Sequence, residues 1–137
     1  MARKKAKIKK TASVPAPTEL ARACARVADD KKASDILILD LRRLTNITDF
    51  FVIAGGTNPR QLQAISRAVN EEMAASGLRA IGIHGESESR WVLHDYGSVV
   101  VHLFDPEYRK LYDLELLWGD APRLDWQGGN QVKRIQP

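Results

Sequence analysis

Two kinds of apolar spacing alternate along this chain, and together they predict its elements. From Thr18 the segment TELARACARVADDKKA sets Leu20, Ala23, Cys24 and Val27 on one helical face, with Thr18 as the N-cap. ILILDL (Ile36 to Leu41) and FFVIA (Phe50 to Ala54) are instead unbroken apolar runs, too short for helices, and they read as buried strands. The polar RRLTNITD between them supplies turn residues for a chain reversal. In GGTNPRQLQAISRAVNEEMAASG, Asn58 and Pro59 take N-cap and first-turn positions, Leu62, Ile65, Ala68, Val69 and Met73 form one stripe, and Gly77 closes the helix.

LRAIGI (Leu78 to Ile83) reads as a further strand and HGESESR as a polar loop. WVLHD and SVVVHLF then make a hairpin. With Tyr96 and Gly97 as its two-residue loop, Asp95 faces Ser98, Leu93 faces Val100, Trp91 faces His102, and His94 lies opposite Val99 on the other side of the sheet. Asp105 and Pro106 open one last short helix, PEYRKLYDLELLW, and the mixed DAPRLDWQGGNQVKRIQP reads as a loose end. The order helix, strand, strand, helix, three strands, helix predicts an α/β (α+β) domain with a mixed sheet of about five strands flanked by helices. Parallel pairing is available only where the long helix crosses over.

Composition adds one domain and a divided charge. The 137 residues, 44% hydrophobic, suffice for a single core. The net charge of +4 comes from one place, since six of the 21 Lys and Arg lie in MARKKAKIKK. Without them 15 basic residues face 17 acidic ones, so the rest carries about −2. Residues 1–17 are therefore expected to be a solvated, disordered basic tail, 18–122 the domain, and 123–137 a loose C-terminal tail. The basic tail does not look like a signal or transit peptide, and it would add salt-sensitive attraction to phosphate backbones, including those of RNA. No apolar run approaches the roughly 20 residues that span a bilayer. The single Cys24 excludes an internal disulfide and multi-cysteine metal sites, which fits a cytoplasmic location.

The candidate chemistry is thin. His94 and His102 fall on opposite faces with a two-residue loop and on one face with a three-residue loop, because a slip of one residue exchanges faces. Even then a catalytic zinc wants three protein ligands, and no other His or Cys lies near in sequence. Ser98, His102 and Asp95 can be drawn as a triad, but no G-x-S-x-G elbow supports it. The Gly55, Gly56, Thr57 turn precedes a helix N-terminus that could hold phosphate, as in nucleotidyltransferases. It matches neither a Walker loop nor GxGxxG, and no Asp-x-Asp or Asp-x-Glu follows on a strand to bind metal. A phosphate-binding enzyme thus lacks its ligands. No metal or cofactor is expected.

A different pattern favours recognition. Trp91, Tyr96, Tyr108, Tyr112, Trp118 and Trp126 crowd the C-terminal half, interleaved with Asp95, His102, Arg109, Asp113 and Glu115. Core packing takes some of them; an exposed remainder has the composition of a protein-binding hot spot.

ILILDLRRLTNITDFFVIAGGTNPRQLQAI, then WVLHDYGSVVVHLF, then YRKLYDLELLW, in that order, resemble the Iojap-type ribosomal silencing factors. The resemblance runs from about Leu20 to Pro122. It is carried by Thr48-Asp49, the Gly56-Thr57 turn, Trp91 to Asp95 with Gly97, VVVHLF, and Tyr112-x-Leu114-Glu115-x-Leu117-Trp118. It implies a nucleotidyltransferase-like fold without catalytic carboxylates and no reaction. It also implies binding to protein fourteen of the large ribosomal subunit, obstruction of small-subunit docking, and repressed translation when nutrients are scarce. His84 stands where the family usually has Glu, and Ser98 where it usually has Asp; Glu86 or Glu88 is the nearest replacement for the first. The expected contacts are Trp91, Leu93, Asp95, Tyr96 and His102 on the hairpin, with Tyr112, Glu115, Leu116 and Trp118 from the last helix. The remaining alternative is an RNA-binding module acting through the basic tail.

Overall fold

The computed structural model describes residues 14–127, so the Lys-rich segment and residues 128–137 lie outside the described residues. Among the described residues four helices, α1 (Pro17–Asp30), α2 (Pro59–Ala75), α3 (Pro106–Tyr112) and α4 (Leu114–Leu117), accompany six strands. These are β1 (Ser34–Asp40), β2 (Phe50–Gly55), β3 (Gly82–His84), β4 (Trp91–Asp95), β5 (Val99–Phe104) and β6 (Arg123–Leu124). They form one mixed sheet in the order β3-β4-β5-β2-β1-β6. Among the described residues only β2 and β5 pair in parallel, and the path between them carries α2 across the sheet.

α1 and α2 cover one face. α1 buries Leu20 together with Ala21, Cys24, Ala25 and Ala28, four small side chains that let the helix pack closely on β1 and β2. Its N-cap is Ala16, whose methyl group can accept no bond, and Pro17 fills the first turn; Thr18 lies inside the helix instead of capping it. α2 starts as its sequence predicts. Asn58 Oδ1 accepts from the Gln61 N–H at 2.9 Å, Gln61 Oε1 accepts from the Thr57 N–H at 2.7 Å, and Pro59 fills the first turn. Leu62, Ile65, Ser66, Val69 and Met73 are buried, and Gly77 leaves the helix at φ +90°. Together with Ile38, Phe50, Val52, Ala54, Val92, Val99, Val101 and Leu103 these residues make the main core.

Four further expectations are corrected. The strand expected over Leu78–Ile83 shortens to Gly82–His84, because Leu78 and Ala80 pack against the core without pairing. The C-terminal segment expected to be loose adds β6 to the β1 edge, where the Asp40 N–H donates to the Pro122 carbonyl at 2.8 Å and Trp126 Nε1 donates to the Ile36 carbonyl at 3.3 Å. The last helix breaks in two at Asp113, which is left-handed (φ +37°) and caps α4 through its Oδ1. The hairpin loop is Gly97-Ser98, closed by Tyr96 N–H to the Val99 carbonyl at 2.9 Å, which pairs Trp91 with Phe104, Leu93 with His102 and Asp95 with Val100. Gly97, at φ +84°, takes the first loop position, where a two-residue turn of this kind wants glycine. The slip is two residues, so each side chain keeps its face.

Candidate protein-binding face

The sheet face away from α1 and α2 is only partly covered. Strand alternation places Trp91, Leu93 and Asp95 of β4 there, beside Val100, His102 and Phe104 of β5 and Phe51 and Ile53 of β2. A second, smaller cluster forms on this face from Leu39, Leu41, Ile53, Phe104 and Ala121, with Phe51, Trp91, Tyr108, Leu114 and Trp118 half-buried against it. The Trp91 indole stacks on Phe104 (5.0 Å between centroids) and meets Tyr112 at 4.5 Å, while Phe51 touches His102 at 4.4 Å and Trp118 at 6.1 Å.

The short helices lie along the rim with no buried residue of their own. They are held by polar contacts. Asp105 caps α3 by accepting from the Tyr108 N–H at 2.7 Å, and its other oxygen receives Arg90 Nε at 2.7 Å. Arg90 also pairs with Glu107 and lies 4.2 Å over the Tyr108 ring. Arg109 grips Glu115 with two bonds of 3.2 Å. So tethered, the helices present Leu111, Tyr112, Leu116 and Leu117 outward; Leu116 is 76% and Tyr112 45% exposed. An apolar rim this exposed is unusual on a free surface.

Of the nine expected contacts, Trp91, Leu93, Asp95, His102, Tyr112 and Trp118 share this side of the molecule, and Leu116 is exposed on α4 between Leu114 and Trp118, which pack against that side. Leu93, Asp95, Trp91 and Trp118 are half-buried, and Asp95 Oδ1 accepts from the Gly97 N–H at 2.8 Å. Glu115 is engaged by Arg109. Tyr96 parts from the group: it is 5% exposed and lies on the helix side of the sheet, since it follows Asp95 by one residue along the strand register. The residues the sequence left out are Phe51, Leu111 and Leu117. An unbroken apolar run such as FFVIA gives no sign that one of its faces remains half-open.

The turn at the end of the hairpin explains two of the sequence's motifs. Thr48 Oγ1 donates to the Gly97 carbonyl at 2.8 Å, and the Asp49 and Phe50 N–H groups both donate to the Ser98 carbonyl at 3.0 Å. His84 pairs opposite Leu93 and is exposed. Glu86 and Glu88 are exposed in the following loop.

The catalytic candidates come apart. His94 and His102 lie on opposite faces of the sheet. His102 Nδ1 accepts from Trp91 Nε1 at 3.1 Å, with Ser98 away in the turn. A serine does meet a histidine, but it is Ser66 of α2. Its Oγ is 2.7 Å from His94 Nε2, His94 Nδ1 is 2.9 Å from the Tyr96 hydroxyl, and that hydroxyl donates to Asn70 Oδ1 at 3.3 Å. The inward alternation of His94 and the single hydroxyl on the α2 stripe were its only traces in sequence. Burial holds His94 neutral and lowers its pKa to about 4, and the third member is a phenol whose own ionisation burial also opposes. With no carboxylate to stabilise an imidazolium, and Ser66 2% exposed, the chain of bonds is a clasp between α2 and β4 rather than an activated nucleophile. It borders a cleft of about 270 Å³ lined by Gln63, Ser66, Arg67, Asn70, Glu86 and Val92.

The Gly55-Gly56-Thr57 turn is likewise explained by packing. The Gly56 N–H donates to the Phe104 carbonyl and the Thr57 N–H to Gln61, so donors a phosphate would use are occupied. A Cβ on Gly56 would stand 2.8 Å from Leu62, and one on Gly55 2.8 Å from Ser34 Oγ.

Comparison with known proteins decides between these readings of the fold. A family model described as ribosomal silencing factor during starvation matches residues 14–136. The chain belongs to the ribosomal silencing factor family. A silencing factor of Bacillus subtilis is 43% identical over 105 residues, covering 77% of this chain and 89% of that protein. The chloroplastic Iojap protein of Zea mays is 34% identical over 101 residues, 74% of this chain and 44% of that longer protein. A crystal structure of a Chromobacterium violaceum protein superposes with a TM-score of 0.75 at 31% identity, covering 84% of this chain and 95% of the other. The Bacillus subtilis relative and the matching family are named for ribosomal silencing, a regulatory description rather than an enzymatic one. The mixed α+β fold of this silencing factor is therefore shared with a solved structure. Among the described residues no helix is long and apolar enough to cross a membrane.

Proposed function

We propose that this silencing factor acts in the cytoplasm by binding protein fourteen of the large ribosomal subunit and obstructing the small subunit, so that translation is repressed when nutrients are limiting. The single observation that supports this most is the open face bounded by Trp91, Leu93, His102, Tyr112, Leu116 and Trp118. It joins aromatic anchors to exposed aliphatic side chains, the composition of interface hot spots. A body carrying about −2 outside the Lys-rich segment suits a basic ribosomal protein, since opposite potentials steer encounter and fix register. Obstruction asks for no chemistry, only bulk beside the joining surface.

Leu116→Ala is the clean test, because an exposed side chain contributes to binding without contributing to the core. Its melting temperature should stay that of the wild type while co-sedimentation with purified large subunits weakens about tenfold or more. Trp91→Ala should weaken binding further, at some cost in stability from its stacking on Phe104. Unchanged co-sedimentation of both variants would remove this face from the account. The Lys-rich segment adds salt-sensitive attraction to ribosomal RNA in this scheme, so deleting Met1 to Lys10 should reduce binding modestly at low salt and leave the blocking of subunit joining in place. Complete loss on that deletion would favour an RNA-binding module instead.

A further inference from the structure

Among the described residues, two buried side-chain polar atoms have no hydrogen-bond partner: His102 Nε2 and Arg109 Nη1. Arg109 already spends its other nitrogens on Glu115. His102 is the more informative case, because its neighbours fix where its proton lies. An indole N–H only donates, so the Trp91 bond makes His102 Nδ1 the lone-pair nitrogen. A neutral imidazole then carries its one proton on Nε2. Burial keeps the ring neutral. The orphaned atom is thus an N–H donor, shielded from water and meeting no acceptor in the free protein.

Such a donor forfeits its hydration for nothing, and an apolar residue here would not. The surroundings would accept one: His102 lies between Leu93 and Ile53 in the register, with Phe51 and Phe104 against its ring. What the imidazole adds is one directed donor at the middle of the open face. Apolar and aromatic contacts alone would accept many apolar surfaces. A buried N–H penalises every partner that lacks a matching acceptor, and so selects among them.

We infer that His102 is a specificity determinant: when a partner covers this face, an acceptor oxygen of that partner takes the His102 Nε2–H, and the half-buried Phe51 ring turns to admit it. The inference rests on the proposed use of the face and adds to it a polar contact that sorts partners.

His102→Phe tests it, keeping a ring of similar size and removing the N–H; it also frees the indole N–H of the half-buried Trp91. The variant should melt at or above the wild-type temperature and bind purified large subunits about tenfold more weakly. His102→Gln, whose amide can both accept from Trp91 and donate, should recover part of the loss. Affinity equal to wild type in His102→Phe overturns the inference. So does a fall in melting temperature with unchanged affinity, which would mean that the N–H serves the Phe51 ring. Nitrogen NMR of the free wild-type imidazole bears on it without any variant: an Nε2–H tautomer is expected, and an Nδ1–H tautomer or a charged ring overturns it. If the wild type itself fails to bind large subunits, the functional proposal falls and this inference with it.

Discussion

Gly85 turns at φ +86°, and a methyl group there would stand 2.0 Å from the Trp91 carbonyl oxygen. That atom is backbone and cannot swing away, so Gly85→Ala should destabilise by about 2–4 kcal/mol, combining the left-handed strain with a forced shift of β4. A urea denaturation midpoint measures it, and a loss below about 0.5 kcal/mol would show the loop adapting. The two buried histidines make a second residue-scale prediction. Burial lowers both pKa values to about 4 from the ordinary 6.5, so the unfolded chain takes up protons more readily than the folded one. Their contribution is therefore whole above about pH 6.5 and is lost as pH falls from there toward about 4, on the order of 3 kcal/mol for each fully realised shift. Replacing His102 by Phe should flatten part of that slope in melts between pH 7 and pH 4; an unaltered slope would mean that the acid sensitivity lies elsewhere. Tyr96 shows what sequence can mislead at this scale. An aromatic residue beside a hairpin turn reads as exposed, but strand alternation carries its ring to the helix side, where the hydroxyl finds His94 and Asn70.

α2 is the element whose sequence and structure agree most closely, because its stop and start signals are local. Asn58→Ala removes the cap on Gln61 N–H and should cost about 1 kcal/mol in the same denaturation assay, whereas Thr18→Ala, inside α1 and not at its cap, should cost much less. Equal losses would contradict this assignment of caps. The strands from Phe50 and Val99 were equally legible, since buried strands of β-branched residues need no partner to declare themselves. β6 was not: two residues, Arg123 and Leu124, hold no period, and their pairing with β1 is decided by distant contacts such as Arg22 Nε donating to the Asp125 carbonyl at 3.0 Å. The break at Asp113 was hidden for a similar reason, as the apolar spacing of YRKLYDLELLW continues across a residue that sits left-handed and caps the next turn. The hairpin register differs from the sequence expectation by two residues because Gly97 takes the first loop position and not the second; the faces are unchanged because the shift is even.

At the scale of the whole molecule, one sheet divides the chain into two unequal halves. The α1 and α2 side is sealed around a continuous core and a polar clasp. The other side carries aromatic residues under two tethered helices that leave Leu111, Leu116 and Leu117 exposed. The aromatic surplus was legible in the sequence but the face that stays open was not, because openness depends on α3 and α4 being too short to cover it. The central claim is that this open face makes the chain an obstruction on the large subunit. The most direct measurement mixes purified large and small subunits with the full chain and follows their joining by sucrose-gradient sedimentation. The account predicts that the wild type stays with large subunits and suppresses complete ribosomes in proportion to occupancy, while Leu116→Ala restores joining. Normal joining with the wild-type chain bound to the large subunit would contradict it.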